Sequence, residues 1–327
     1  MKFRTEIEIE KYKNLIEHSN NILTIGSCFA ENIAEYFKAH RFNILDNPFG
    51  VLYNPISIFN SLKFAVEKKI FTETDLIYHQ SEWHSFYHHS NFSYHNVDFV
   101  LANINKSMEL TNRFLKSADL IIVTFGTSYV FKHLEKGIVV SNCHKIPQKM
   151  FEHYRLTLYE VEKNISELVG LIKNFNPKVR FIFTVSPVRH WKNGAVNNQL
   201  SKAILLLAID EIIKKEKNCN YFPSYEIIMD DLRDYRFYNS DLIHPNKMAT
   251  DYIWEKFSNV ICSEHCLQLI KDISKIVSAR NHRVRNKNSD EHQKFISSMI
   301  KKIETLEKRE KHLSLKSDSD YFKSQLI

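Results

Sequence analysis

Apolar residues along this chain fall into two alternating spacings. Short unbroken runs, such as Leu120-Ile121-Ile122-Val123 and Val179-Arg180-Phe181-Ile182-Phe183, lack the in-out alternation of a strand with one wet face. They predict strands covered on both sides. Longer stretches between them carry apolar residues three and four apart, the spacing of amphipathic helices. On this reading strands occupy 21–26, 42–45, 119–125, 179–185 and 225–229. Helices occupy 29–40, 55–68, 97–117, 155–175, 195–216 and 246–271. Strand, long crossover helix, strand is the pattern of a parallel sheet with right-handed connections. The expected fold class is therefore α/β, a three-layer α/β/α domain with a mostly parallel sheet, assigned to residues 1–280.

Residues 281–327 break this pattern and are expected to form a charged C-terminal tail, part helix and part disordered. Asn286-Lys287-Asn288-Ser289-Asp290 is a polar breaker, and a helix with Phe295, Met299, Ile303 and Leu306 on one stripe follows. That helix reads either as a solvated, frayed element or as a surface for a protein partner or self-association. The polar stretch 314–320 is expected to be disordered.

Composition narrows the function classes. A hydrophobic fraction of 43% and a charged fraction of 25% are ordinary for a globular protein. The net charge of +7 invites a nucleic-acid reading, but its distribution argues against one. From Arg280 onward there are 12 basic and 7 acidic residues, which leaves 33 and 31 in the rest of the chain. The body is nearly neutral, so no basic groove and no nucleic-acid partner are expected. Five cysteines without paired CxxC spacing argue against a zinc ribbon or disulfide scaffold. Reduced thiols and a cytoplasmic location are expected. The charged start, Met1 to Glu8, lacks a leader's apolar core, and the apolar run 203–209 is too short for a membrane span.

The chain has only six glycines, and three stand where strands are expected to end: Gly26, Gly50 and Gly126. Ligands of open α/β sheets gather at those ends. Gly26-Ser27 can lift a hydroxyl from the end of the first strand onto a helix N-terminus. Asp241 and His244, three apart before Pro245, can supply a carboxylate and an imidazole base. Cys28 competes with Ser27 as nucleophile, or is simply a small buried hydrophobe. His79, His84, His88 and His89 crowd one segment with aromatics between them. No metal site is expected there; a lid, a stacking surface for a sugar ring, or plain packing are the readings. Arg189 and His190 follow a strand end, where they contact substrate or pair with Asp230, Asp231 or Asp234.

Taken together, the blocks resemble the GSCFA family, a branch of the SGNH (GDSL-like) hydrolase superfamily. Gly26-Ser27-Cys28-Phe29-Ala30 carries the resemblance, with Asn47-Pro48-Phe49-Gly50, Tyr53-Asn54-Pro55, Trp83-His84-Ser85-Phe86 and Phe125-Gly126-Thr127. So do Asn142-Cys143-His144-Lys145-Ile146-Pro147, the run from Thr184 to His190, Asp234-Tyr235-Arg236 and Asp241 to Pro245. The resemblance implies a flavodoxin-like topology and a triad of Ser27, His244 and Asp241. It implies an oxyanion hole from the Ser27 and Gly50 N–H groups and a side chain. The family pattern of the third block has an asparagine where this chain has Ser128, so Ser128 or Thr127 is expected to donate instead, or Asn142 from the following loop. His84, His144, Arg189 and His190 are the expected substrate contacts, with no cofactor. Two functions follow: a serine esterase or O-acyltransferase acting on an ester such as an O-acetylated carbohydrate, or a non-catalytic glycan- or partner-binding module on the same fold.

Overall fold

The computed structural model describes residues 4–282 and 289–326. Asn286, Lys287 and Asn288 of the expected polar breaker lie outside the described residues. Ten strands are described: β1 (Asn21–Gly26), β2 (Asn43–Asp46), β3 (Leu76–His79), β4 (Glu82–Ser85), β5 (Leu120–Phe125), β6 (Tyr129–His133), β7 (Val139–Val140), β8 (Phe151–Arg155), β9 (Arg180–Val185) and β10 (Cys219–Tyr221). The helices are α1 (Cys28–Ala39), α2 (Pro55–Val66), α3 (Val97–Leu115), α4 (Leu158–Phe175), α5 (Gly194–Lys215), the short α6 (Ser224–Glu226), α7 (Lys247–Ile261), α8 (Glu264–Asn281), α9 (Asp290–Arg309) and α10 (Lys316–Lys323).

The central sheet has the order β10-β9-β5-β1-β2, and its helices make this an α/β fold. Strands β1, β5, β9 and β10 run parallel, with Gly26 beside Thr124 and Phe125 beside Val185. These strand ends therefore line up along one edge of the sheet. Every residue of β5 is buried, which is why its sequence shows no alternation. Caps set where the covering helices begin. Asn54 accepts from Ser57 N with Pro55 next to it, and Thr157 and Glu160 form a reciprocal capping box at α4.

The expected strand at 225–229 is not one: α6 and a helical turn over Ile227–Asp231 occupy it, and the fifth strand is Cys219–Tyr221. A short apolar run fits a buried helical turn as well as a strand. The helix expected over 246–271 is two helices, because Ser263 caps a new one by accepting from Cys266 N. Two small antiparallel sheets were not foreseen: the hairpin β3-β4 and the three-stranded β7-β6-β8.

The chain divides into two compact units. The first, 1–8, 21–34 and 44–255, holds the central sheet and its core. The second gathers 9–20, 35–43 and 256–327. In it α8, α9 and α10 share a core of Leu269, Ile273, Ile276, Ile303, Leu306 and Phe322. The apolar stripe of α9 is thus used inside this unit, with Ile296 buried and Phe295 outward. The stretch 314–320, expected to be disordered, is ordered and largely helical instead. Its Asp318 is buried and accepts from Arg41 Nε and Nη2 at 2.9 and 2.8 Å and from Arg280 Nη1 at 2.9 Å. Polar composition misleads here because two guanidiniums satisfy the carboxylate and Leu313 and Leu315 bury beside it.

Candidate active site

The turn after β1 admits only glycine. Gly26 has φ +139°, and a Cβ there would stand 2.1 Å from Thr124 O. Asn47 holds the turn in place: its Oδ1 accepts from Gly26 N at 2.8 Å, while Leu52 N donates to Gly26 O at 2.8 Å. The Asn47–Gly50 block is therefore the buttress of the first block. Gly50 itself has φ +74° and packs against His89, where a Cβ would meet His89 Cβ at 2.3 Å.

Ser27 is fully buried. Its Oγ accepts from Phe29 N at 3.3 Å, in the manner of a helix cap, and no hydrogen bond joins it to His244 among the described residues. Cys28, the first residue of α1, is half-buried. Burial first and the Glu31 charge second push its thiol above the ordinary range, against the pull of nearby N–H groups and Lys202.

The loop carrying Asp241 and His244 is fully formed. Leu242 takes φ +59°, which folds the chain so that Asp241 Oδ1 accepts from Ile243 N and His244 N, each at 2.9 Å. Asp241 Oδ2 then meets His244 Nδ1 at 2.7 Å. The His244 and Ile243 N–H groups, with the imidazole, hold the Asp241 carboxyl down to about 2. Asn246 fastens the loop by donating to Arg236 O at 2.6 Å and Tyr238 O at 3.2 Å. With Nδ1 spent on the carboxylate, His244 Nε2 carries no protein hydrogen bond among the described residues.

The expected oxyanion donors are mostly engaged elsewhere. Ser27 N–H donates to Thr124 O at 3.0 Å, and Gly50 N–H donates to Asn47 O at 2.7 Å. Both backbone N–H groups expected to hold the oxyanion are bonded within the protein in this structure. Thr127 Oγ1 bonds Ser201 Oγ at 3.0 Å, and Ser128 is buried against the same hydroxyl. Asn142 differs: its Oδ1 accepts from His144 N at 2.9 Å, leaving Nδ2 on a cavity of about 420 Å³. Asn54 also lines this cavity with its Oδ1 committed to Ser57 N, a donor that sequence reasoning missed.

Of the expected substrate contacts, His190 lines the same cavity and packs edge-on against Tyr53 at 5.3 Å between ring centres. Burial, then Lys202 and His244, push its imidazole down to about 4, so it is neutral near pH 7. Arg189 lines a second cavity of about 250 Å³, with its Nε on Asn198 Oδ1 at 3.1 Å rather than on an aspartate. His84 and His144 line neither of these two cavities. They stack on each other at 4.5 Å, and both are buried. His84 bonds Ser93 Oγ and His79 O, and His144 bonds Ser85 O, so they are packing residues of the hairpin region. Among the described residues no group of three His, Cys, Asp or Glu gathers as a metal shell. No described helix is long and apolar enough to cross a membrane.

The GSCFA family model matches residues 21–257, and the model of the C-terminal domain of GSCFA domain proteins matches 273–327. The chain belongs to the GSCFA family. No curated protein matches it. Among solved structures, the GSCFA chain overlaps a carbohydrate esterase family 2 enzyme with a carbohydrate binding domain from Corynascus thermopiles (Myceliophthora fergusii). There the identity is 16%, the coverage 44% of this chain and 36% of that one, and the TM-score 0.29. It also overlaps an acetyl xylan esterase from the rumen bacterium Butyrivibrio proteoclasticus at 10% identity, covering 76% of this chain and 64% of that one, with a TM-score of 0.38. The GSCFA chain thus spans about a third and just under two thirds of those lengths, overlaps too shallow to bear on chemistry.

The GSCFA site holds one further group, Lys202. It is fully buried on α5, donating at 2.7 Å to Gly126 O and at 2.7 Å to Ser186 O. One ammonium therefore ties the ends of β5 and β9. Burial pulls it down to about 7. The sequence does carry a trace of it: Asn198, Ser201, Lys202 and Leu205 share one buried helix face, and a polar stripe on a sheet-covering helix marks a polar centre beneath.

Proposed function

We propose that this GSCFA protein is an SGNH-type serine esterase or O-acyltransferase that works through an acyl-enzyme. One observation carries the reading: the Asp241–His244 pair, with the carboxylate on Nδ1 at 2.7 Å and Nε2 left for a nucleophile. Ser27 Oγ attacks the acyl carbon, and His244 Nε2 takes its proton. The C–O bond to the leaving alcohol then breaks as His244 returns that proton to the alkoxide. Water or a sugar hydroxyl, deprotonated by the same imidazole, resolves the acyl-enzyme. Asn142 and Asn54, which line the cavity that His190 also lines, are the side-chain donors assigned to the oxyanion; loss of such a donor costs about 2.7–4 kcal/mol of transition-state stabilisation. The substrate class is a carboxylic ester, in the first instance an O-acetylated carbohydrate.

The complete burial of Ser27 favours a second reading, in which the half-buried Cys28 is the nucleophile on the same base. Labelling separates the two. A fluorophosphonate should label the wild type and not Ser27→Ala, whereas Cys28→Ala should label normally. Ester turnover that survives in Ser27→Ala, is abolished there by iodoacetamide, and is absent from Cys28→Ala would move the role to the thiol. Absence of labelling and of p-nitrophenyl acetate turnover in the wild type would leave the non-catalytic binding module as the function.

A further inference from the structure

The cavity of about 420 Å³ beside the proposed site is walled by an element that the mechanism above does not use. The three-stranded sheet brings Phe131 and His153 opposite each other in register, and their rings stack 4.2 Å apart at 8°. Tyr129, two residues along the same strand and so on the same face, packs on His153 at 5.1 Å. Lys192, from the turn after β9, places its ammonium 4.9 Å from the centre of the Phe131 ring. All four residues line the cavity, together with Tyr53.

Two properties of this wall select a ligand. Its rings, packed on one another, line an open cavity as an apolar wall against which the C–H groups of a pyranose ring can pack. Its charge is one-sided: Lys192 is the one Lys, Arg, Asp or Glu among the lining residues, and the contact of its ammonium among the described residues is with the Phe131 ring. Glu152, next to His153 in the chain, lies opposite Lys132 in the ladder, on the other face of β8 from His153. Burial and the Lys192 charge lower the His153 imidazole, so its ring stays a neutral stacking partner. A cation beside an aromatic wall attracts an anionic substituent more than a bare hydroxyl.

We propose that this cavity is a subsite for a sugar ring bearing an anionic group, a carboxylate or a phosphate ester, and that the ester substrate of this protein is an acidic carbohydrate. It rests on the ester-transfer reading only for the word substrate; the binding itself does not need turnover. Tyr129, Phe131 and His153 carry the ring, and Lys192 meets the anion. Tyr53, which lines this cavity, leads from it to the nucleophile turn, since Tyr53 O accepts from Gly126 N at 2.7 Å and the adjoining Leu52 N donates to Gly26 O at 2.8 Å.

Calorimetric titration of the full-length protein with methyl glucuronide, glucose 6-phosphate and methyl glucoside tests this, with Ser27→Ala in parallel. The expected result is binding of at least one anionic sugar roughly fivefold or more tighter than the neutral one. Lys192→Gln, at an exposed position, should remove that preference while leaving the neutral sugar unchanged, and Phe131→Ala should weaken all three. Carboxylate-only or phosphate-only preference names the anion. Equal binding of all three sugars, no binding of any, or an unaltered preference in Lys192→Gln overturns the proposal. Since Ser27→Ala keeps the cavity, failure of the nucleophile assignment leaves these titrations unmoved.

Discussion

The loop at Asp241–His244 and the turn at Gly26–Cys28 are the two halves of the proposed chemistry, and they are built in opposite ways. The loop is local and open. Its main contacts join residues within ten positions of one another, and both side chains are nearly half exposed. The turn is assembled from afar and closed. Gly26 and Ser27 are held by Asn47 and Thr124, and the serine has no exposed surface. Local hydrogen bonds can thus orient a base before any substrate arrives, while a buried nucleophile depends on packing that several segments must agree on.

The difference predicts unequal consequences of substitution. The largest belongs to the turn: Gly26→Ala should cost about 4 kcal/mol of stability, from a strained φ and a methyl forced onto Thr124 O, read by urea denaturation. A stable Gly26→Ala protein would mean that the turn is not the rigid half. Next comes Asp241→Asn in the loop, which should lower kcat by about 10³–10⁴-fold with only a small drop in the unfolding midpoint, because the amide disrupts the tautomer held at 2.7 Å while its oxygen still accepts from the loop N–H groups. A loss of fold instead would show that the loop is structural.

Lys202→Met should act on the sheet edge that both halves share. In the wild type the folded state holds Lys202 at about 7 while the unfolded chain keeps an ordinary lysine near 10.4. The folded form releases that proton first, so the cost of the buried charge is present below pH 7 and fades as pH rises. Between pH 6 and 9 the wild type should therefore gain about 2–3 kcal/mol more than the variant does. Equal slopes would remove the ammonium from beneath the site. Smallest of all, Leu242→Gly should change stability by less than about 1 kcal/mol and leave kcat within twofold, because the Asp241 carboxylate rather than the leucine shapes the φ +59° turn.

What the sequence made legible follows the same division. Strands β1, β5 and β9 could be read because both faces are buried and their runs are continuous. The carboxylate–imidazole pair was readable because its spacing is its geometry. The burial of Ser27 was not, since its N–H partner, Thr124, lies 97 residues away. Strand β10 is three residues long and too polar to stand out, whereas the apolar run after it is helical. Tyr129, Phe131 and His153 become one wall only through cross-strand register, which no single-strand pattern contains.

The clamp on Asp318 has a practical side for anyone cutting this chain. Its two arginines come from residues 277 and 38 positions earlier, so a truncation placed after Arg280 would remove the carboxylate and keep both guanidiniums. The same cut would strip α9 and α10 from Leu269, Ile273 and Ile276 and turn a core into a sticky surface. A shortened protein that precipitates would then report on the missing clamp and say nothing about the site.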